Sequence, residues 1–231
     1  MISRILNASC AQAQARRERR KEARPGELLA AALELFVEKG YAATRAEEVA
    51  QRAGVSKGTL FLYFHSKEEL FKAVVRENIA GRFAEWNAEF DAYGGPTPEM
   101  LRYALQMWWQ RIGATPASGI TKLMMGEAAN FPELAAFYHQ EVIEPGRALI
   151  RRILQRGVDR GEFRPMDLDH GVYLVLAPMI FLMSWKHSFA SCGGCAATLD
   201  PEKYLELQIQ TLLHGLCEPA AAAPNTTTKG S

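Results

Sequence analysis

The sequence predicts an all-α fold, and two kinds of signal support this prediction. Apolar residues recur at three- and four-residue steps over several long segments, which is the spacing of a helix with one buried face. Capping side chains stand at the start of these segments and are followed by a proline or, three residues later, by a glutamate. No segment of the 231 residues shows a convincing strand pattern. We therefore expect about nine or ten helices.

The first helix and the two capping boxes that follow it are predicted from local signals. Residues 27–39 have one apolar face, and Gly40 follows where a C-terminal cap belongs. Thr44–Glu47 and Ser66–Glu69 both fit the capping box, in which a hydroxyl and a carboxylate satisfy each other's backbone amides. Helices are therefore predicted to begin at these two places.

A further short helix is predicted between the two capping boxes. Gly54 allows a sharp turn, Val55 offers an apolar contact, and Ser56 caps a helix that ends near Phe64. Together with the preceding helix, this spacing is that of a helix-turn-helix.

The remainder of the chain continues the helical pattern to its last apolar residues. One apolar face predicts a single long helix from Lys67 to Asp91. Pro145-Gly146 predicts a kink or a break before a helix over 147–160. Long helices are predicted at 168–188 and 202–216. Other helix starts are predicted at Thr97-Pro98, Thr115-Pro116, Phe131-Pro132 and Asp200-Pro201.

Charge is distributed unevenly along the chain. Residues 1–76 carry a net charge of +5 and residues 77–231 a net charge of −4, although the whole chain is close to neutral at +1. A basic N-terminal part that contains a helix-turn-helix indicates a nucleic-acid partner. The segment 16–24, RRERRKEAR, is either an arm that reaches along DNA or a solvated tail, and its two glutamates leave both interpretations open.

Composition argues against several classes of protein. Four scattered cysteines are too few for a disulfide scaffold, so a reducing cytoplasm is expected. The N-terminus lacks a signal-peptide apolar core, and the uncharged run from Gly171 to Trp185 is shorter than the ~18 residues that a membrane span needs. No motif of a hydrolase, phosphate-binding loop, zinc peptidase or di-iron bundle occurs. We therefore predict no enzyme, no metal, no cofactor and no membrane partner.

The short helix after Ser56 presents more polar surface than its packing needs. Its first turn, with Lys57 and Gly58, would enter the major groove, where the glycine allows close approach to the DNA backbone. Thr59 would contact a thymine methyl group or a phosphate. The predicted phosphate contacts are Tyr63, His65 and Lys67, the last acting together with the amides of the next helix.

Two motifs in this region carry a family resemblance. The first, F-x-x-x-G-Y/F-x-x-T, closes the first helix, and the second is GVS-x-G-x-L-Y-x-Y/H-F-x-x-K-x-x-L. The chain resembles the TetR/AcrR family of bacterial transcriptional regulators over roughly residues 25–75, where the matching residues are Phe36, Gly40, Tyr41, Thr44, Gly54, Val55, Ser56, Gly58, Leu60, Tyr63, Phe64, Lys67 and Leu70. Phe61 departs from the tyrosine that the family often has, so one phosphate-directed hydroxyl is missing. We also include Thr44, Arg45 and Phe61 among the predicted DNA-contacting residues.

The resemblance implies the organisation and the mechanism of the whole chain. Regulators of this kind dimerise through their last two long helices and bind a small molecule in the helical body. The implied function is a repressor that binds an inverted-repeat operator as a homodimer and is released by a small apolar or aromatic effector. The predicted parts are a flexible basic arm at 1–24, a three-helix DNA-binding head at 25–75 with the motif at about 45–64, an effector-binding and dimerisation domain at 76–217, and a disordered tail at 218–231.

Aromatic residues and methionines are numerous in the predicted body. Most of them must belong to ordinary core, because binding pockets are few in a protein of this size. Richness in methionine and tryptophan indicates an apolar, flat or aromatic ligand. The candidate ligand contacts are Trp108, Met125, Phe137, Phe181 and Trp185.

A second interpretation rests on Cys192 and Cys195, which follow His187 in a glycine-rich stretch. Paired thiols at this spacing bind a soft metal or form a redox disulfide. A zinc site would need further ligands from Cys217, His170 or His214. Both a loop that happens to carry two thiols and a thiol- or metal-responsive regulator are compatible with the sequence.

A third interpretation is an interaction protein in which the helix-turn-helix has only a structural role. Such a protein has no need to present basic and aromatic side chains on the short helix. The exposure of Lys57, Tyr63 and Lys67 would therefore distinguish it from a DNA-binding regulator.

Overall fold

The predicted all-α fold is confirmed by the computed structural model, which describes residues 25–189 and 199–217. Within these residues the backbone forms eleven α-helices, and the only bridge of β type joins Phe163 to Cys217. The helices are α1 (25–39), α2 (Ala46–Arg52), α3 (Lys57–Tyr63), α4 (Lys67–Asn78), α5 (Phe83–Ala92), α6 (Thr97–Trp108), α7 (Ser118–Glu127), α8 (Pro132–Tyr138), α9 (Glu144–Asp159), α10 (Leu168–Ser188) and α11 (Pro201–Leu216).

The described residues form two compact units. The first consists of the residues up to Glu85 together with Arg111–Pro145, and the second of Trp86–Gln110 with the residues from Gly146 onward. Helices α1 to α4 therefore share a unit with α7 and α8. The domain boundaries at 25–75 and 76–217 stay a prediction.

The core of the first unit is rich in aromatic side chains. Phe36 and Phe71 are fully buried and meet edge to face, with ring centroids 5.3 Å apart. Tyr41 stacks on Phe36 and meets Phe131 edge to face at 4.8 Å. Because aromatic pairs prefer these offset and perpendicular arrangements, the cluster fixes the end of α1 against α4 and the segment after α7.

The core of the second unit is aliphatic and is formed by helices α6, α9, α10 and α11. Leu101, Leu154, Val175 and Ile209 lie at its centre without solvent exposure. Gly157 in α9 allows the ring of Phe163 to enter this core, since a Cβ atom at that glycine would come within 2.1 Å of the ring.

Two of the predicted helix boundaries are wrong. The segment from Lys67 to Asp91 is not one helix, because Ile79 leaves the helical region and a short 3₁₀ turn over Ala80–Arg82 separates α4 from α5. Conversely, the break expected at Pro145 is absent. A π-helical turn over His139–Ile143 joins α8 to α9, and such a wider turn accommodates a proline that has no amide hydrogen to donate.

The predicted helix starts at Phe131-Pro132 and Asp200-Pro201 are confirmed, whereas those at Thr97-Pro98 and Thr115-Pro116 are displaced. Asp200 caps α11 by accepting hydrogen bonds from the amides of Glu202 (3.0 Å) and Lys203 (3.2 Å). By contrast, Thr97 lies inside α6, which begins after Pro96, and α7 begins only at Ser118. Short-range capping signals therefore locate a helix end to within a few residues.

Helix α10 is longer than its uncharged run suggests. Its 21 residues are long and apolar enough to cross a membrane by length and composition alone, which differs from the sequence expectation. One side of the helix nevertheless belongs to the core of the second unit, through Val172, Val175, Met179 and Leu182.

Candidate nucleic-acid interface

The helix-turn-helix predicted from the sequence is formed by α2 and α3. Gly54 adopts a left-handed conformation (φ +67°) in the turn, and the amide of Val55 donates to the carbonyl oxygen of Ala50 at 2.9 Å. Ser56 caps α3, because its hydroxyl accepts a hydrogen bond from the amide of Thr59 at 3.1 Å. These contacts fix the turn that leads from α2 into α3.

Helix α3 is attached to the first unit through one buried residue. Leu60 is the sole fully buried side chain among its seven residues. Lys57 and Gly58 in its first turn are exposed. Since a two-turn helix has little stability of its own, the surrounding helices determine its position and leave its outer side open to a partner.

Lys57 is exposed but has contacts inside the chain. Its ammonium pairs with the carboxylate of Glu47 in α2 and lies 5.7 Å from the ring centre of Phe61. The hydrogen bond from Lys57 holds the pKa of Glu47 below its ordinary value. A phosphate or a guanine approaching Lys57 would therefore compete with a neighbouring carboxylate.

Gly58 has free space around its α-carbon in the chain itself. A Cβ atom built there would meet the hydroxyl oxygen of Ser56 as its nearest atom, at an ordinary contact distance of 3.8 Å. Packing within the chain therefore does not require a glycine at this position. Close approach of a partner to the backbone at Gly58 would require a glycine there.

Thr44 has a structural role that the sequence prediction missed. Its side chain is 1% exposed, and its hydroxyl donates to the carbonyl oxygen of Gly40 at 2.7 Å. The hydroxyl is therefore directed to α1 and is not free to cap α2. The predicted capping box is wrong by one residue: the N-cap is the exposed Arg45, whose amide donates to the carboxylate of Glu48 at 3.4 Å.

The turn between α3 and α4 carries further predicted contacts. His65 is exposed, and its amide donates to the carboxylate of Glu69 at 2.9 Å. Ser66 caps α4 by accepting from the amide of Glu69 at 3.0 Å, as predicted. Tyr63 and Thr59 are half-buried. This turn thus presents an imidazole beside the N-terminus of α4, where an anion is stabilised by free amides.

Lys67 is directed inward, unlike the exposed Lys57. Its ammonium donates to the carbonyl oxygens of Tyr41 (3.0 Å) and Ala42 (3.3 Å) and lies 4.3 Å from the ring centre of Tyr41. Burial lowers the pKa of Lys67, and the nearby carboxylate of Glu127 counteracts this effect. A phosphate contact, as predicted from the sequence, would compete with two hydrogen bonds inside the chain.

Leu62 is a residue of this surface that the sequence analysis missed. It is 79% exposed, the highest value among the large apolar side chains that the structure describes. The signal was present in the helix period, because a residue two positions after the buried Leu60 lies on the opposite side of the helix. An exposed leucine on a helix of this kind suits a thymine methyl group in the major groove.

The five candidate ligand contacts are divided between the two units. In the first unit, Met125 is 64% exposed, and the ring of Phe137 lies under the cationic groups of Lys72 and Arg76. In the second unit, Trp108 packs against the aliphatic core, and the rings of Phe181 and Trp185 are 5.9 Å apart.

The remaining predictions concern segments outside the described residues. These segments are the arm at 1–24, the pair Cys192 and Cys195, and the tail at 218–231. Among residues 25–189 and 199–217, no group of three or more histidine, cysteine and acidic side chains is arranged to hold a metal ion.

Comparison with known proteins identifies the family of the chain. Residues 28–74 match the model of bacterial regulatory proteins of the tetR family, and residues 97–188 match a tetracyclin repressor-like C-terminal domain. The transcriptional repressor KstR2 of Mycobacterium tuberculosis is 30% identical over 147 residues, which are 63% of this chain and 72% of that protein.

Solved structures share the fold over most of this chain. The fatty acid degradation regulator FadR of Bacillus halodurans superposes with a TM-score of 0.67 at 22% identity, over 82% of this chain and 94% of that one. The regulator FadR of Bacillus subtilis, in complex with stearoyl-CoA, has a TM-score of 0.60 at 18% identity, over 82% and 97% of the two chains. The two family models and the similarity to KstR2 establish that the chain belongs to the TetR family of DNA-binding transcriptional regulators.

Proposed function

We propose that the chain represses transcription by binding an inverted-repeat operator as a homodimer, and that an apolar small molecule in the helical body releases it. The observation that carries this proposal is the outer side of α3, where Lys57, Gly58 and Leu62 are exposed around one buried anchor. On such a surface the lysine offers a cation to base edges, the glycine allows close approach, and the leucine offers an apolar contact. A regulator of this kind acts in the cytoplasm, where the DNA is.

The proposed DNA contacts fall into two groups. Lys57, Gly58, Thr59 and Leu62 face the bases, because they lie on the first turns and the outer side of α3. Phosphate contacts are assigned to Arg45, Tyr63 and His65, whereas Phe61, which lacks a hydroxyl, would contact DNA through its ring alone. Thr44 and Lys67, whose polar groups bond inside the chain, are assigned to positioning the head.

The outer face of α10 supports a dimer. Leu174 is 69% exposed and Phe181 is 47% exposed, and Tyr173 and the α11 residue Leu207 are also largely open to solvent. Leu174 and Phe181 lie within the uncharged run from Gly171 to Trp185. An exposed, uncharged apolar face of this length is typical of a protein interface. A second copy of the chain would cover it symmetrically, and this exposure favours an interface role for Phe181 over a ligand contact.

The proposed effector is a molecule with a long or flat apolar part. KstR2 is described as a ketosteroid transcriptional regulator, and the Bacillus subtilis FadR structure contains stearoyl-CoA. The candidate contacts Trp108, Met125, Phe137 and Trp185 are aromatic or contain a thioether, which suits the same ligand class. A ligand that binds more tightly to a dimer whose two heads do not match the half-site spacing would increase the population of that dimer form and lower the affinity for DNA.

Selection from a pool of genomic fragments tests the DNA-binding part of the proposal. The purified full chain, Lys57→Ala and the control Lys203→Ala are each used to enrich fragments at moderate salt. Lys203 is an exposed lysine of α11, outside the head. We expect the wild type and the control to enrich one inverted repeat that Lys57→Ala does not enrich. Enrichment of no sequence by a folded, dimeric wild type would contradict operator binding.

Release is then measured on the recovered operator by fluorescence anisotropy. Stearoyl-CoA is titrated into the complex, with free coenzyme A as the control for its polar part. Dissociation by stearoyl-CoA alone would support an apolar effector. Equal dissociation by both compounds would contradict it, because the acyl chain would then make no contribution.

A further inference from the structure

We infer that Glu127, an α7 residue outside the helix-turn-helix, positions the DNA-binding head by clamping the turn between α1 and α2 together with Lys67. The turn follows Gly40 and is formed by Tyr41, Ala42 and Ala43. The inference depends on DNA binding by the family and is independent of the ligand proposed above.

The turn is the point at which the head is joined to α7 and to the segment after it. Gly40 ends α1 in a left-handed conformation (φ +84°), which L side chains rarely adopt. Tyr41 follows with its side chain buried between the rings of Phe71 (5.3 Å) and Phe131 (4.8 Å). The direction in which the chain leaves α1 is thereby set by aromatic packing on both sides of Tyr41.

Glu127 holds the amide side of this turn. Its carboxylate accepts a hydrogen bond from the amide of Tyr41 at 3.1 Å. A Cβ atom at Gly40 would come within 2.8 Å of the same carboxylate oxygen, so the approach requires a glycine there. The carbonyl oxygen of Glu127 also accepts from the amide of Phe131 at 3.1 Å. The C-terminus of α7 thus places one carboxylate and one ring against Tyr41.

Lys67 holds the carbonyl side of the same turn. Its ammonium donates to the carbonyl oxygens of Tyr41 and Ala42, at 3.0 and 3.3 Å. Lys67 is the first residue of α4, directly after the cap Ser66 and the exposed His65. Three consecutive peptide groups are therefore bound, the first by an anion from α7 and the next two by a cation from α4, and the two opposite charges attract each other.

This arrangement connects α7 to the surface that meets DNA. Lys67 cannot keep both hydrogen bonds unless the turn stays in place, and Glu127 is the side chain that holds the turn from α7. Loss of these hydrogen bonds would free the N-terminus of α4 and the turn before it. That turn contains His65, which is assigned to a phosphate contact. Glu127 is accordingly a positioning residue that acts through Tyr41 and Lys67 and has no DNA contact of its own.

Two substitutions distinguish the effect of the hydrogen bond between Glu127 and Tyr41 from the effect of the Glu127 charge. Glu127→Gln keeps an oxygen that can accept from Tyr41 but loses the attraction to Lys67, and Glu127→Ala loses both. The control is Glu133→Ala, which removes an exposed carboxylate from α8 in the same unit. Operator affinity is measured with the full dimeric chain, and the hydrogen exchange of the Tyr41 amide is followed by NMR.

We expect Glu127→Ala to weaken operator binding about tenfold, Glu127→Gln to weaken it less, and Glu133→Ala to leave it unchanged. The Tyr41 amide should exchange fastest in Glu127→Ala and at an intermediate rate in Glu127→Gln. In a Lys67→Met background, the effect of Glu127→Ala should shrink, since the two residues hold the same turn. Wild-type affinity in folded Glu127→Ala, or a full additive loss in the double variant, would overturn the inference.

Discussion

Helices α3 and α10 both leave large apolar side chains open to solvent, but they do so in opposite settings. Leu62 lies on a seven-residue helix that begins at the exposed Lys57 and is followed by the exposed His65. Leu174 and Phe181 lie on a 21-residue helix whose other side is buried in the aliphatic core. The first surface is small and basic, and the second is extended and uncharged.

This difference indicates which kind of partner each surface suits. DNA offers isolated methyl groups among phosphates and polar base edges, so it suits one apolar side chain surrounded by cations. Another protein chain offers a continuous apolar surface, so it suits a face without charge. Exposure of an apolar residue alone would not distinguish these partners; the charge of its neighbours does.

The largest effect is expected from placing charge on the outer face of α10. Leu174→Glu with Phe181→Glu should abolish the dimer and lower operator affinity more than about 100-fold, because the second half-site then loses its effective concentration. Sedimentation velocity and fluorescence anisotropy measure the two effects. The control is Ile143→Glu, at an apolar residue with 40% exposure outside α10. If the double variant remained a dimer, the outer face of α10 would not be the dimer interface, and the proposed difference between the two surfaces would be wrong.

A smaller effect is expected from substitutions on the outer side of α3. Gly58→Ala should weaken operator binding about tenfold while leaving the thermal unfolding temperature unchanged, because the new methyl group fits the free chain but not a close DNA backbone. The matched control is Gly26→Ala in α1, where a Cβ atom also meets no neighbour. Equal binding by both variants would show that DNA does not approach Gly58.

Leu62→Ala should act on specificity more than on affinity. Loss of the contact to a thymine methyl group should cost about 1 kcal/mol on the preferred operator and less on an operator with cytosine at that position. Competition binding with single-base operator variants measures this difference. A uniform loss on all operators would indicate that Leu62 meets the sugar-phosphate backbone instead.

Lys57 and Lys67 should differ in how salt affects them. Lys57→Ala should reduce the slope of log affinity against log salt by about one, as expected for a lost contact with DNA charge. Lys67→Met should leave that slope unchanged and lower the unfolding temperature, because its ammonium bonds within the chain. An equal slope change in both variants would mean that Lys67 leaves its carbonyl partners when DNA binds.

The smallest effect is expected from the acidic neighbour of Lys57. Glu47→Gln should raise affinity for DNA of any sequence about two- to threefold at low salt, because an exposed ion pair contributes little and its loss frees the cation. The gain should vanish at high salt. Lower affinity in Glu47→Gln would indicate that Glu47 orients Lys57 for a specific base.

Much of the helix-turn-helix could be predicted because its signals are local. Gly54 and Ser56 act within a few residues, through a left-handed turn and a hydroxyl that caps the next amides. The prediction failed at Thr44 for an equally physical reason. Its hydroxyl could either cap α2 or donate to the carbonyl oxygen of Gly40. The side chain is buried, and the hydroxyl donates to Gly40.

The sequence by itself determined the helices, the helix-turn-helix and the family, since periodicity and capping depend on neighbours along the chain. Only the tertiary structure decided that Lys57 faces solvent and Lys67 faces inward, and that Leu62 is open on α3. It also decided that Glu127 binds Tyr41 across 86 positions of sequence. A side chain's partner depends on where distant segments come to lie, and no spacing within one segment contains that information.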